Sequence, residues 1–249
     1  VPESRQHPVV ADLGLRIATG ELVAGSRVVP EEVAEQHGVS RSVVREALRV
    51  LEAKGLVQPR QRVGTRVLAS DRWDALDADV IGWRVQGPER LAVVSDLEEL
   101  RAAVEPRAAR LCCENDGGTA DVAELSLLAT TMRRLGSRGD LGGFTAADVA
   151  FHARLLHASG NAAFVRLEGT FAALLRAREE LGTLPHQISE DVLALHEEVA
   201  EAIAVRDADR AERAARELVD GARSEVLTQL GAPAGAIGRV LRGLRNRRR

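Results

Sequence analysis

Residues 38–55 read Gly38-Val39-Ser40-Arg41-Ser42-Val43-Val44-Arg45-Glu46-Ala47-Leu48-Arg49-Val50-Leu51-Glu52-Ala53-Lys54-Gly55. The stretch carries the punctuation of a single helix. Ser40 is an N-cap, because its hydroxyl can accept a hydrogen bond from an unpaired amide of the first turn. Gly55 suits the left-handed residue beyond the last turn, and Lys54 faces the negative end of the helix dipole. Val44, Ala47, Leu48 and Leu51 fall at i, i+3, i+4 and i+7 and form one buried stripe. Arg41, Arg45 and Arg49 recur every four residues on a neighbouring face, with Ser42 beside them near the N-terminus. An Arg/Ser front on a short amphipathic helix suits a DNA major groove, and taken alone it equally suits solvent.

The flanks separate these readings. Upstream, Pro30-Glu31-Glu32-Val33-Ala34-Glu35-Gln36-His37 predicts a short helix, and Gly38 supplies the tight turn of a helix-turn-helix. Downstream, the β-prone runs Leu56-Val57-Gln58-Pro59 and Thr65-Arg66-Val67-Leu68 predict a hairpin, a wing, whose basic tip is Arg60-Gln61-Arg62-Val63-Gly64. From Gly38 to Arg66, seven basic residues (Arg41, Arg45, Arg49, Lys54, Arg60, Arg62, Arg66) face two acidic ones (Glu46, Glu52). This local excess of positive charge lies in a chain of formal charge −3, the footprint of a phosphate-binding face.

At 249 residues and 45% hydrophobic content, the chain can bury two cores. Aromatic residues are scarce, with four Phe, two Trp and no Tyr, while Ala, Leu, Val, Arg and Glu favour a mainly helical protein. Cys112 and Cys113 are adjacent inside a predicted helix, where they neither bridge each other nor have metal-ligand spacing. No apolar run approaches transmembrane length and the N-terminus lacks a signal-peptide core, so a cytoplasmic location with no membrane partner is expected.

Taken in order, residues 1–8 read as a polar arm, and Val10, Leu13 and Ile17 mark a first helix closed by Gly20. Leu22–Val28 is a connector that can add a short strand against the wing. At this point the sequence resembles the GntR family of bacterial transcription regulators. The resemblance is carried by Gly25-Ser-Arg-Val, Val33-Ala-Glu-Gln-His-Gly-Val-Ser-Arg, Val44-Arg-Glu-Ala-Leu, Leu51-Glu-Ala-Lys-Gly-Leu-Val and Val63-Gly-Thr-Arg-Val, about 45 residues in the family's order. It implies that Arg41 and Arg45 read bases or phosphates and that Ser40 and Ser42 hold phosphates. It also implies that Arg49 lies along the DNA backbone and that Gln61-Arg62, with Gly64, form a wing tip in the minor groove. Where many members carry a DNA-contacting Arg before the turn, this chain has Glu31.

Residues 71–85 predict an amphipathic helix or pair of turns, capped by Ser70 or Asp71, with Trp73, Leu76, Val80 and Trp83 as a buried stripe. The two tryptophans read as packing anchors rather than ligand platforms. The pattern Trp-x-x-Leu-Asp-x-Asp-Val-x-x-Trp-Arg is also similar to GntR regulators of sugar-acid catabolism, galactonate-responsive repressors among them. From Val93 onward, helices are predicted near 94–115, 119–136, 139–158, 161–182, 188–205 and 207–230, with Asp207 capping the last. No strand appears there, so this half predicts an antiparallel helical bundle of six to seven helices. Asp96-Leu-Glu-Glu-Leu-Arg-x-x-x-Glu-Pro, Asp148-x-x-Phe-His and Ala158-Ser-Gly-Asn resemble the FCD ligand-binding domain of FadR-type GntR regulators. The fold expected is therefore mainly α: a winged helix-turn-helix (1–70), a linker helix (71–92), an FCD-like effector domain (93–230) and a basic tail (231–249). The tail, ending Arg245-Asn-Arg-Arg-Arg, reads as a solvated extension or a non-specific phosphate contact.

Asp148 and His152 are four residues apart, so their side chains project from one helical face. By the family resemblance, Asp148, His152 and His196 match three of four ligands for a divalent metal such as Zn, Ni or Mn, and the fourth position falls on Leu218. A three-ligand site is open to completion by water or an effector carboxylate; the rival reading is a hydrogen-bonded polar cavity without metal. The resemblance also places Arg101 against an effector carboxylate, with an ion pair to Glu98 or Glu105 as its rival, and Arg176, Arg178 and Asn161 are weaker pocket candidates. The function expected is a ligand-responsive transcription regulator, a homodimer on a palindromic double-stranded operator, acting as a repressor released by a small carboxylate such as a sugar acid. The alternative is a metal-dependent enzyme built on Asp148, His152 and His196, which leaves the arginine helix unexplained.

Overall fold

In the computed structural model, which describes residues 7–60, 64–115, 119–185 and 187–231, the chain divides between Arg90 and Leu91 into two units. The first is built on α1 (His7–Ala18), α2 (Pro30–His37) and α3 (Arg41–Ala53), with a sheet of β1 (Arg27–Val28), β2 (Val57–Arg60) and β3 (Gly64–Val67). Pro30 opens α2, where its missing N–H would be unpaired in any case. Gly38 follows in the left-handed conformation (φ 62°), which turns the chain sharply into α3. Ser40 Oγ caps α3 by accepting from the Val43 amide at 3.4 Å. The apolar stripe of α3 is buried as the spacing predicts, with Val44, Ala47 and Leu51 fully inside. It packs on α1 and α2 over Val9, Leu13, Ile17 and Val33.

The sheet is antiparallel in the order β1-β3-β2. The connector does supply a strand: Arg27 pairs with Arg66 and Val28 with Thr65. Pro59 lies on the edge strand β2, the one kind of strand that tolerates its lack of a donor. The wing tip at 61–63, including Gln61 and Arg62, lies outside the described residues.

Residues 70–84 differ from the sequence expectation. Ser70–Arg72 is one 3-10 turn, and the helix proper, α4 (Ala78–Arg84), starts at Asp77, whose carboxylate accepts from the Asp79 and Val80 amides. Leu76 is 46% exposed and drops out of the expected stripe, because it precedes the cap and has no helical face to share. Val80 and Trp83 are buried, and α4 packs on α1. The Trp83 ring fills the space over Gly14, where any β-carbon would come within 2.5 Å of it. Trp73 donates its Nε1–H to the Leu68 carbonyl at 3.1 Å. Both tryptophans are thus packing groups. Lys54 Nζ reaches Asp77 at 2.6 Å and Asp79 at 2.8 Å, tying the end of α3 to the start of α4.

Among the described residues the second unit holds seven helices: α5 (Arg90–Glu114), α6 (Thr119–Gly136), α7 (Leu141–Ala158), α8 (Ala162–Val165), α9 (Glu168–Glu180), α10 (Glu190–Ala204) and α11 (Ala208–Gln229). Asp140, Ser189 and Asp207 cap α7, α10 and α11 through first-turn amides. Helix α7 packs on α6 and α9, and α10 on α6 and α11, around Leu125, Met132, Phe151, Leu156, Phe171 and Val199. The single helix expected over 161–182 is two. Asn161 caps the short α8 through the Ala163 and Phe164 amides, and a break at Arg166–Leu167 re-aims the chain into α9. That break lets Phe171, Leu174 and Leu175 be buried, with α9 lying on α7. Cys112 and Cys113 are both buried and free, and burial pushes the Cys112 thiol up to about 12. Among the described residues, no helix is long and apolar enough to cross a membrane.

Candidate functional site

The first unit presents Arg41, Arg45 and Arg49 as exposed side chains on the face of α3 away from its buried stripe. Arg45 has no ion-pair partner among the described residues, so its charge is uncommitted. Arg41 Nη1 lies 3.3 Å from Glu31 of α2, and Arg49 Nη1 2.7 Å from Glu46. Glu31 therefore does more than lack a positive charge: it partly neutralises Arg41 at the start of α3. Ser40 and Ser42 share a 2.9 Å hydroxyl contact at that same end, where unpaired amides favour an anion. Gly64 has φ +90°, and a β-carbon there would meet Arg27 Nε at 3.0 Å, so its role in the structure is conformational.

In the second unit, helices α5, α7, α9, α10 and α11 enclose a cavity of about 450 Å³ including its mouth. Arg101, Asp148, His152 and His196 line it, and so does Leu218. Asp148, His152 and His196 each offer a ligand atom within 4.8 Å of the others. His196 Nδ1 must donate to the Val192 carbonyl at 2.8 Å, because a carbonyl only accepts. Its Nε2 then faces Asp148 Oδ1 at 3.1 Å, acceptor against acceptor unless a proton or a metal ion lies between them. In His152, Nδ1 is 2.9 Å from Glu105 Oε2, an ion-pair distance outside hydrogen-bond geometry, and Nε2 is 3.3 Å from Asp148 Oδ1. A carboxylate or carbonyl on Nδ1 that leaves Nε2 for the ion is the second shell of many metal-binding histidines.

The charges point the same way. Glu98, Glu105 and Asp148 are buried with one guanidinium, Arg101, and neither oxygen of Glu98 has a hydrogen-bond partner among the described residues. With neutral imidazoles the cluster carries two surplus negative charges, which a divalent cation would cancel; a proton on His152, whose pKa is raised, would cancel one of them. The donor set therefore fits a three-ligand metal site, and Leu218 occupies the wall of the same cavity without a donor atom. One contact opposes it: Arg101 Nη2 lies 2.6 Å from His152 Nε2, taking the lone pair that a metal would use.

Arg101 is engaged within the bundle, donating from Nε to Glu105 at 2.8 Å and lying 3.9 Å from Glu98, so the ion-pair rival is present even though the residue also lines the cavity. Burial would lower its pKa, but Glu105, Glu98 and Asp148 outweigh that and raise it. Burial would raise the Asp148 carboxyl, yet the His152 charge and hydrogen bonds from His152 and His196 hold it well below the usual range. Glu105 is also held low: burial opposes this, and the charges of Arg101 and His152 prevail. Burial and Arg101 would lower His152, and Glu105 with Asp148 raise it.

Two of the expected pocket residues lie elsewhere. Asn161 spends its side-chain oxygen capping α8, and Arg176 is exposed on the outer face of α9. Arg178, two residues on and so across the helix, is the one inside, together with Glu225 and Ser189. Glu225 has a signal in the sequence, since Leu218, Ala222 and Glu225 follow at i, i+4 and i+7 on one face of α11.

An arginine-faced winged helix-turn-helix and a helical bundle around a charged cavity define a ligand-responsive DNA-binding regulator. The chain belongs to the GntR family of bacterial regulatory proteins: residues 6–67 match that family and residues 96–221 match the FCD domain. It is 29% identical over 213 residues to the galactonate operon transcriptional repressor of Escherichia coli K12, covering 85% of this chain and 92% of that one. It is 32% identical over 212 residues to the HTH-type transcriptional regulator YieP of the same organism, covering 83% and 89%. Escherichia coli McbR/YncC shares the fold, with a TM-score of 0.53 at 18% identity over 92% of this chain and 99% of that one. The protein is a transcription regulator and not an enzyme, which sets aside the metal-dependent enzyme alternative.

Proposed function

We propose that the protein is a repressor that binds a palindromic operator as a homodimer and is released by a small carboxylate of the sugar-acid class. The observation that carries this is the exposed Arg41–Arg45–Arg49 face on a capped recognition helix, joined in one chain to a bundle with a charged cavity. The relative named as a galactonate operon repressor supports the effector class. On this reading residues 1–70 bind DNA, 71–92 connect, and 93–230 sense the effector. Ser40, Arg41, Ser42, Arg45 and Arg49 contact the operator, and the Gln61-Arg62 tip follows the minor groove. The cavity around Arg101, Asp148, His152 and His196 takes the effector, with Asp148, His152 and His196 holding a divalent metal (Zn, Ni or Mn) that supplies a charged anchor for an acid. A cytoplasmic location follows from a DNA target.

Release is linkage: an effector that prefers one arrangement of the bundle shifts the placement of the two recognition helices of the dimer and so the operator affinity. The test is a gel shift on the DNA upstream of the coding sequence. Arg45→Ala weakens binding by about 1–3 kcal/mol with an unchanged circular dichroism spectrum, and unchanged affinity would refute the assignment of α3.

A further inference from the structure

The cavity holds two arginines in unequal states. Arg101 is committed through Nε to Glu105 and through Nη2 to His152; its Nη1, without a hydrogen-bond partner among the described residues, lies 3.9 Å from Glu98. Arg178 is not so committed. Its side chain is only 9% exposed, its Nε has no hydrogen-bond partner among the described residues, and its ion pair to Glu225, Nη2 to Oε2, is long at 3.6 Å. A charge-assisted N–H···O bond is typically about 2.7–2.9 Å. Nε has therefore lost its water without gaining an acceptor.

We propose that Arg178 is the anchor for the carboxylate of the bound effector, and that Glu225 is the internal carboxylate it displaces. This rests on the reading of the cavity as the effector site and names the group that recognises the acid there.

The backbone holds Arg178 in place for such a role. It sits in the last turn of α9, whose end is closed by the Thr183 amide and hydroxyl on the Arg178 carbonyl at 2.8 and 2.9 Å. Gly182, at φ +63°, gives its amide to the Glu179 carbonyl and completes the turn. A cation there also faces the negative end of the α9 dipole. The planar fork of Nε and Nη2 matches the two oxygens of a carboxylate. Glu225 approaches with one oxygen and leaves Nε empty.

Exchange favours an incoming acid. The Glu225 side chain is 34% exposed and regains water when displaced, whereas Arg178 is enclosed and gains a second bond. Leu184, Pro185, Ile188 and Val192 give the space between an apolar side, and Asp148, His152 and His196 supply a polar group elsewhere on its wall. The ligand class is thus a small acid with a second polar function, a hydroxy or sugar acid rather than a fatty acid.

The experiment is calorimetric titration of the full chain, in buffer with zinc, using D-galactonate, D-gluconate, L-lactate and succinate, with galactose as the neutral control. For the acids that bind, Arg178→Gln weakens binding roughly ten- to a hundredfold, as expected for losing charged hydrogen bonds. Arg178→Lys keeps the charge but not the fork and falls between; it also guards against misfolding of the glutamine variant. Glu225→Gln tightens binding roughly two- to fivefold, the scale of a partly exposed ion pair, and galactose shows no such pattern. If both Arg178 variants bind as the wild type does while Asp148→Asn loses binding, the Arg178 assignment is overturned and the cavity reading stands. If Asp148→Asn also binds normally, or no acid binds either the wild type or Glu225→Gln, both are overturned.

Discussion

Replacing Arg101 with methionine keeps most of the side-chain volume and removes the permanent cation from the buried cluster. Glu98, Glu105 and Asp148 are 0%, 1% and 7% exposed, so water cannot take its place. In the wild type, Arg101 lies 2.8 Å from Glu105, 3.9 Å from Glu98 and 2.6 Å from His152. A single charge pair at about 4 Å is worth roughly 4 kcal/mol at an effective dielectric of about 20, most of it offset by desolvation of the partners. Truncation leaves that desolvation uncompensated, so the expected loss is about 3–5 kcal/mol, a large part of the ~5–15 kcal/mol of a typical domain. Urea unfolding of chelator-treated protein at pH 7.5 measures it, and hydrogen exchange should locate the loss in α5 and α7. The deficit has a pH signature. Without the guanidinium, the Glu105 carboxyl loses the largest charge that holds it low, and burial moves it up. The folded variant then binds more protons than the folded wild type, and its stability rises relative to wild type as pH falls. A loss under about 1 kcal/mol, outside the range for breaking a buried pair, or a deficit independent of pH, would show that the cluster is not held by Arg101.

Other perturbations test other parts. Leu218→His places a fourth donor on the cavity wall, and zinc affinity by competition with a chelator dye should rise on the order of a hundredfold, since even outer-shell partners are worth roughly 10–100-fold. An unchanged affinity would mean that position 218 does not face the ion. Gly14→Ala puts a β-carbon 2.5 Å from the Trp83 ring, where carbon contacts are normally about 3.5–4.0 Å. Overpacking by roughly 1–3 kcal/mol should outweigh the helix-propensity gain of up to about 1 kcal/mol, so a stabilised variant in thermal denaturation would contradict the packing. Glu89 is held below its usual value by hydrogen bonds from Arg84 and then Ser70, with burial opposing. Its contribution is present above about pH 4.5 and is lost as pH falls through the lowered folded value, so wild type and Glu89→Gln should differ by under about 1 kcal/mol near neutrality and converge near pH 3; a gap that persists there would place the effect elsewhere.

The first unit was legible because its information is local. Ser40, Gly38 and Gly55 fix the ends of α2 and α3, and the stripe of Val44, Ala47, Leu48 and Leu51 faces one core, so caps and period agree. Residues 70–84 were less so. Ser70, Asp71 and Asp77 are all competent caps, and the choice of Asp77 is tied to Lys54, which binds its carboxylate from 23 residues away. In the second unit the break at Arg166–Leu167 has no glycine or proline to announce it; the gain is the burial of Phe171, Leu174 and Leu175.

The cavity divides along the same line. Asp148 and His152 share a face by helical spacing, and the sequence alone determined that pair, together with the caps, the recognition helix and the helical class of both halves. That His196 meets them across 48 and 44 residues, that Arg101 spends its charge on Glu105, and that Arg178 rather than Arg176 or Asn161 enters the cavity were decided by tertiary structure. The reason is physical. A charged residue buried with its partner has the same sequence signature as one in water, and α5 turns Glu98, Arg101 and Glu105 inward where the pattern reads as a solvated face. Only the rotation of each helix in the packed bundle tells them apart.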